Sequence, residues 1–451
     1  MVPALRVRTV EDRPERADGE YVLYWMIAAR RTRDNFGIQH AAERARALGK
    51  PLLVYEALRA DYRWKSERFD RFVYGGMRDN AAHCAERGVT YFPFIESKPG
   101  SRMLEKLAKK ACLVVTDDFP CFFLPHMVAK AGRVLDVRLE AVDGNGILPL
   151  ASSASEFKTA HSFRRFVHKE IRPHLTAFPE RDPLHGVDGA PMPPGASEIP
   201  EGTGGARRGE AIWEEFFAGS FGDYAAPKKN AAERGSSGLS PYLHFGHIGS
   251  HRMVGDILAS WDPAQVTPPD NGRREGWWGL GASAEAFLDQ IVTWRELGFH
   301  FNGHRPDYDR YESLPDWART TLAQHAGDAR EPCYTLEELD DGATHDELWN
   351  AAQGELRREG RIHNYLRMLW GKKILEWSAS PEEALDNLIE LNNRYALDGR
   401  DPNSYSGIFW TLGRFDRAWG PERPIFGKIR YMSSENTARK MRVREYVETY
   451  A

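Results

Sequence analysis

The chain reads as an α/β protein, a Rossmann-like parallel-sheet domain followed by an all-helical one. Short apolar runs alternate with amphipathic segments over its first third. A Pro- and Gly-rich stretch then interrupts the pattern, and beyond Arg208 apolar residues recur almost throughout at helical spacing. The first run is YVLYWMI from Tyr21, followed by a helix from about Asp34 through Ala47 and by PLLVYEAL. VTYFPFI, CLVVTDD and LDVRLEAV continue the alternation, each separated from the next by a helix-like stretch. Apolar strands interleaved with helices predict a parallel sheet covered on both faces. A connecting helix from Glu156 to Leu175 carries Arg164, Arg165, His168 and Lys169. It leads into RDPLHGVDGAPMPPGASEIPEGTGGARRG, whose Pro and Gly content cannot sustain regular structure. The predicted divisions are therefore 1–155 (sheet domain), 156–207 (connecting helix and linker) and 208–451 (helical domain).

Of the 451 residues, 41% are hydrophobic and 28% charged, which excludes a disordered chain. No uninterrupted apolar run can span a bilayer, and MVPALRVRTVEDRPERADG has no apolar h-region, so the expectation is a cytoplasmic protein without a membrane partner. Cys84, Cys112, Cys121 and Cys333 have neither CxxC spacing nor a metal-ligand pattern, so reduced thiols and no bound metal are expected. A formal net charge of -4 means that any nucleic-acid contact must come from a local patch. Thirteen Trp suit a protein that handles flat ligands, and equally one with large aromatic cores.

The chemistry concentrates between Gly360 and Trp410. In GRIHNYLRMLWGKKILEW, Ile362, Leu366, Leu369, Ile374 and Trp377 follow the spacing of a buried helix, yet the same stretch carries Arg367. An unpaired guanidinium there would be costly, and DGRDPN offers Asp398 and Asp401 in a turn-forming loop. An Arg–Asp bridge in a helical core accounts for the pair as well as a ligand site does. In GSSGLSPYLHFGHIG a Ser-rich turn precedes a helix, an arrangement that favours a phosphate. Ordinary capping by Ser240 ahead of Pro241 accounts for it too. There is no GxGxxG fingerprint.

GRIHNYLRM, LDGRDPN and ERPIFGKIRYM, in that order, resemble the flavin-containing core of DNA photolyases and cryptochromes, in particular class II cyclobutane pyrimidine dimer photolyases. The resemblance runs from about Tyr21 to about Met432. It implies FAD, with the pyrophosphate on Ser236, Ser237, Gly238, Leu239 and Ser240, and Tyr224 as a further contact. Around the isoalloxazine it implies Asn364, Arg367 and Asp398, together with an amide near N5, either Asn392, which we favour, or Asn403; Arg400 is a further implied cofactor contact. A relay of Trp370, Trp349 and Trp377, in that order from the flavin towards the surface, is implied as the route of photoreduction, although each indole alone would pass for a core residue. Gln290, Trp294, Met368 and Trp410 are the implied lesion contacts. The family usually has Glu where Gln290 stands.

The segment from Thr411 is locally basic, and its resemblance implies a hairpin that meets UV-damaged DNA through Arg423, Lys428 and Arg430. The implied activity is a light-dependent deoxyribodipyrimidine photo-lyase that acts as a monomer without a protein partner. A second, antenna chromophore, a deazaflavin, is implied in the N-terminal domain. The alternative is a cryptochrome-like photoreceptor sharing the flavin site, against which the short tail after Arg444 and the basic hairpin both count.

Overall fold

The computed structural model describes residues 1–226, 230–233, 235–259, 269 and 271–451; the parts of the expected helical domain at 227–229, 234, 260–268 and 270 lie outside them. By contacts the chain divides into two compact units. The first comprises Met1–Ala154, Val167–Gly219 and Leu239–Pro268, and the second Ser155–Phe166, Ser220–Gly238 and Pro269–Ala451.

The first unit holds six strands, β1 (Val7–Glu11), β2 (Tyr21–Met26), β3 (Leu52–Leu58), β4 (Thr90–Ile95), β5 (Ala111–Asp117) and β6 (Leu139–Val142), in the order β1-β6-β5-β2-β3-β4. Every residue of β2 and β5 is buried, which is why they read as continuous apolar runs. The sheet is mixed rather than wholly parallel, because β1 pairs antiparallel with β6. That edge strand, VRTVE, is mostly exposed and charged and carries no apolar run to betray it. The chain winds outward from β2 to β4 and then returns to β5, so the order reverses between β2 and β5. At that reversal Asp117, the last residue of β5, accepts hydrogen bonds from the backbone N–H groups of Ile27, Ala28 and Ala29 and from the Tyr24 hydroxyl. Asn35 caps the Phe36–Leu48 helix by accepting from the N–H groups of Gly37 and Ile38, and Gly49 ends it at φ 61°.

The Pro- and Gly-rich stretch has no regular element between His174 and Ala206. Its glycines allow close approach: a Cβ on Gly202 would lie 2.0 Å from the backbone nitrogen of Gly75, and one on Gly75 2.4 Å from the Gly204 oxygen. Backbone therefore packs on backbone where a helix would not fit.

The second unit is helical. Capped starts set its functional segments: Asp346 accepts from Trp349 N–H, Ser380 from Glu383 N–H, and Asp401 from Asn403 N–H, the last two ahead of Pro at the first helical position. Gly360 ends the Glu347–Glu359 helix at φ 72°, and its carbonyl accepts from Leu397 N–H at 2.8 Å. One hydrogen bond thus ties the GRIHN turn to the DGRDPN loop. Among the described residues no helix is long and apolar enough to cross a membrane, and no cluster of His, Cys, Asp and Glu could hold a metal ion.

Candidate functional site

The helix Asn364–Trp377 has buried residues on all sides, as an apolar helix in a core must. Ile362, Leu366, Leu369, Ile374 and Trp377 are all under 9% exposed. Arg367 projects from this helix and donates to both carboxylate oxygens of Asp398, at 3.2 and 2.9 Å. The pair keeps 27% and 16% of its side-chain exposure, so it is neither a surface bridge nor sealed in the core. Asn364 is exposed one turn earlier. The adjacent His363 ring keeps a buried Nδ1 without a hydrogen-bond partner, and burial holds that imidazole below its ordinary pKa. Glu355 fixes the turn from behind, accepting from the His363 backbone N–H at 2.9 Å and from the Tyr446 hydroxyl at 2.7 Å.

The two candidate amides have different surroundings. Asn392 is 4% exposed, and its NH2 donates to Asn393 Oδ1 and Ser404 Oγ. Asn403 is exposed and its backbone N–H is taken up by the Asp401 cap. Arg400 is buried at φ 61°, a conformation costly for a side-chain-bearing residue. Its guanidinium donates to the carbonyls of Asn393 and Ala396, so it braces the loop from inside.

The Ser-rich turn departs from expectation in one respect. Ser240 does not cap the following helix: it is the first helical residue of Ser240–His244, and Leu239 in the cap position offers no side-chain acceptor. Ser236 and Ser240 are exposed, Ser237 is half-buried, and Gly238 takes φ 70°, the left-handed turn that glycine permits. The turn spans the boundary between the units, with Gly238 ending a segment of the second and Leu239 opening one of the first. Tyr224 packs edge-on against Phe287 at 5.2 Å.

Trp349, Trp370 and Trp377 come together in the second unit. Trp349 Nε1 donates to the Trp370 carbonyl at 3.0 Å, and the Trp349 and Trp377 rings meet edge to face at 5.6 Å. Trp370 Nε1 donates to Gln353 Oε1. All three indoles are at most 2% exposed, so Trp377 does not itself reach the surface. Half-buried Tyr334 and exposed His345 pack against it, at 5.5 and 5.3 Å.

Of the four lesion candidates, Met368 and Trp410 line one cavity of about 340 Å³, with Tyr365, Trp419, Arg430 and Tyr431. Gln290 and Trp294 do not line it. They stand on a π-helical turn, Asp289–Trp294, a geometry in which each hydrogen bond spans one residue more than in an α-helix. Asp289 turns inward and is gripped by Arg164 at 2.8 and 3.1 Å, whereas Gln290 faces solvent. The Arg164 guanidinium also lies 5.7 Å from the Trp294 ring.

Beside the cavity, Trp419 N–H donates to the Lys428 carbonyl, and Arg423 and Gly427 exchange backbone hydrogen bonds, closing a turn without regular strands. Arg423 lies over Tyr431 at 4.7 Å. Lys428 pairs with Glu422 at 3.1 Å and Arg430 with Asp416 at 3.0 Å. Arg414, part of the same basic run in sequence, is not at the surface: it is 4% exposed and bonds to Ser313 and Glu156.

No protein-family model matches the chain. It is 34% identical over 464 residues to the deoxyribodipyrimidine photo-lyase of Methanothermobacter thermautotrophicus, an alignment spanning 99% of this chain and 98% of that one. The chain belongs to the deoxyribodipyrimidine photo-lyase family. The photo-lyases of Oryza sativa subsp. japonica and Potorous tridactylus are 35% and 32% identical, over 98% and 94% of this chain and 89% and 80% of theirs. A bacterial class III photolyase structure from Agrobacterium tumefaciens shares the fold, with TM-score 0.70 over 96% of this chain and 86% of that one at 14% identity.

Photo-lyases use FAD, and the second unit has residues that fit a flavin. The half-exposed Arg367–Asp398 pair, the exposed Asn364 amide and the orphaned His363 Nδ1 lie within one helical turn or one ion pair of each other. Buried polar groups left without partners in a folded protein mark a place where a ligand's polar groups belong. Sequence reasoning missed Trp419, Tyr365, Tyr431 and Lys372. The signal for Lys372 was present, since a KK pair inside WGKKILEW puts charge where every neighbour is apolar.

Proposed function

We propose that this photo-lyase splits cyclobutane pyrimidine dimers in UV-damaged DNA by electron transfer from photoexcited, reduced FAD to a flipped-out lesion. The observation that carries the reading is the near-full-length identity to relatives named for that activity. Light-dependent DNA repair is the activity of the family. Bound FAD supplies the light-absorbing one-electron donor and takes the electron back once the ring has opened.

The chain's own residues bind, orient and exclude water. Arg367 balances negative charge on the flavin while Asp398 keeps the guanidinium oriented, so the site stays close to neutral. Both N–H bonds of Asn392 are donated within the protein, which leaves its Oδ1 to accept from the cofactor and favours it over Asn403. The Ser236–Ser240 turn holds the pyrophosphate and Tyr224 adds a further contact. Trp410 and Met368 form an apolar wall for the dimer, and Gln290 and Trp294 approach it from the π-helical turn. A dimer is a flat apolar wedge with polar edges, and such a wall suits it. Arg423, Lys428 and Arg430 meet phosphates, giving affinity without sequence readout. Trp370, Trp349 and Trp377 pass electrons inward when the flavin needs reduction. This order is supported by Trp349 touching both of the others.

The order of GRIHNYLRM, LDGRDPN and ERPIFGKIRYM supports class II within the family. A deazaflavin antenna in the first unit, a monomeric state without a protein partner and a cytoplasmic location complete the proposal, on the strength of the resemblance. The deciding experiment measures thymine-dimer content in irradiated DNA incubated with the protein in light and in darkness. Loss of dimers only in the light supports the reading, and equal dimer content in both overturns it.

A further inference from the structure

Lys372 is 0% exposed, and among the described residues no carboxylate lies within ion-pairing distance of it. Its ammonium donates to the Thr411 carbonyl at 2.6 Å and lies 4.8 Å from the centroid of the Trp410 ring. Gly371 makes the approach possible, since a Cβ there would meet Thr411 Cγ2 at 2.5 Å. A second cation, Arg430, lies 5.4 Å from the Trp410 centroid but is paired with Asp416 at 3.0 Å, so Lys372 is the uncompensated charge on this indole. The relay indoles differ. Among the described residues no cation lies over Trp349 or Trp370, and Lys373, 5.2 Å from Trp377, is neutralised by Glu376 at 2.8 Å.

A buried, unpaired lysine is expensive, and a methionine would fill a similar space without that cost. A positive charge against an indole face stabilises the neutral ring and opposes formation of its radical cation. We propose that Lys372 is a positioning residue for the cavity: with Arg430 it fixes the Trp410 ring as a wall and makes that indole a poor electron donor, so that holes run along Trp370, Trp349 and Trp377 and not into the wall that meets the dimer. The inference rests on the proposed use of the cavity for the lesion.

The test uses the holoprotein in darkness with hexachloroiridate(IV), an outer-sphere oxidant that takes one electron from an indole and becomes iridium(III). Peptide mapping reads oxidised Trp410 relative to Trp419, whose cations Arg417 and Arg430, at 4.4 and 4.1 Å, are offset by the Asp416 carboxylate that accepts from its Nε1 at 3.2 Å. Lys372→Met is expected to raise the Trp410 to Trp419 ratio about fivefold. An unchanged ratio in a folded variant overturns the proposal.

The wild type supplies a second measurement that needs no variant. Burial lowers the Lys372 pKa to about 7; of the charged groups that face it, Asp416 favours the charged form and Arg430 opposes it, while Lys373 and Glu376 on its own helix engage each other. The wild-type ratio is therefore expected to rise as pH passes upward through about 7, and a ratio flat across that range also overturns the proposal. Adding a dimer-containing oligonucleotide tests the cavity separately. Shielding of Trp410 supports lesion binding there, and its absence removes that reading while the fivefold ratio still reports on Lys372.

Discussion

The second unit contains two groups of tryptophans whose environments differ. Trp349, Trp370 and Trp377 are sealed from water; a peptide carbonyl and a glutamine amide hold the first two, and the Lys373 ammonium over Trp377 is paired with Glu376. Trp410 and Trp419 are half-exposed, line a cavity and carry guanidinium or ammonium groups over their rings. On the proposed reading the same side chain is an electron carrier where no uncompensated charge penalises its oxidation, and a wall where one does. Environment assigns the role.

The largest test of this contrast removes a member of the proposed relay. Trp370→Phe is expected to slow light-driven flavin reduction with an external reductant by at least about a hundredfold, or ~2.7 kcal/mol of barrier, while repair by dithionite-reduced protein stays near wild type. Absorbance during blue illumination and a dimer assay give the two readouts; equal loss in both would make Trp370 a packing residue.

Arg367→Ala probes the proposed flavin side of the helix that bears Trp370. It strands Asp398, but both partners keep some exposure, so the effect should fall below that of a fully buried pair, at about 2 kcal/mol or ~30-fold weaker FAD retention. Full FAD content after dialysis would place the flavin elsewhere.

The Lys372 contact also has a stability signature. The folded chain holds this amine at about 7 against an ordinary 10.5, so between those values the unfolded chain binds the extra proton and wild-type stability rises with pH. Below about 7 the burial penalty is complete. Lys372→Met should therefore be more stable than wild type at low pH by about 1–3 kcal/mol, after losing the donor to Thr411, with the advantage shrinking as pH climbs. Denaturant melts at several pH values measure this, and a constant difference would mean that Lys372 keeps its charge throughout.

For the cavity rim, Arg423→Ala should flatten the salt dependence of DNA binding by about one unit of log–log slope, and Lys428→Ala by less, because Lys428 must first leave Glu422. Identical slopes for both variants and wild type would move the phosphate contacts off this turn.

The smallest effect is expected at Gln290. Its carboxamide donates at any ordinary pH, so Gln290→Glu should keep dimer affinity within about tenfold, ~1.4 kcal/mol, and leave repair per absorbed photon equal or higher. Loss of both at every pH would make Gln290 a specific adaptation of this chain.

Patterns local in sequence were legible without the structure. The buried strands β2 to β6, the Phe36–Leu48 helix, the absence of regular elements in the Pro- and Gly-rich stretch and the need of Arg367 for a carboxylate from DGRDPN all follow from period, caps and the cost of an unpaired charge in an apolar stretch, whereas the choice of Asp398 over Asp401 does not. What spacing could not give is which face of an element meets which neighbour. The edge strand β1 has no apolar run because only its pairing with β6 holds it in the sheet. Arg414 and Arg423 are equally basic in sequence, yet one is anchored on Ser313 and Glu156 in the interior and the other faces solvent. Trp370 and Trp410 are both apolar-run tryptophans. Only the approach of Gly371 to Thr411, two helices meeting without a Cβ between them, brings an ammonium to one indole and leaves the other neutral. Close contact between distant segments sets the electrostatics, and no sequence period encodes it.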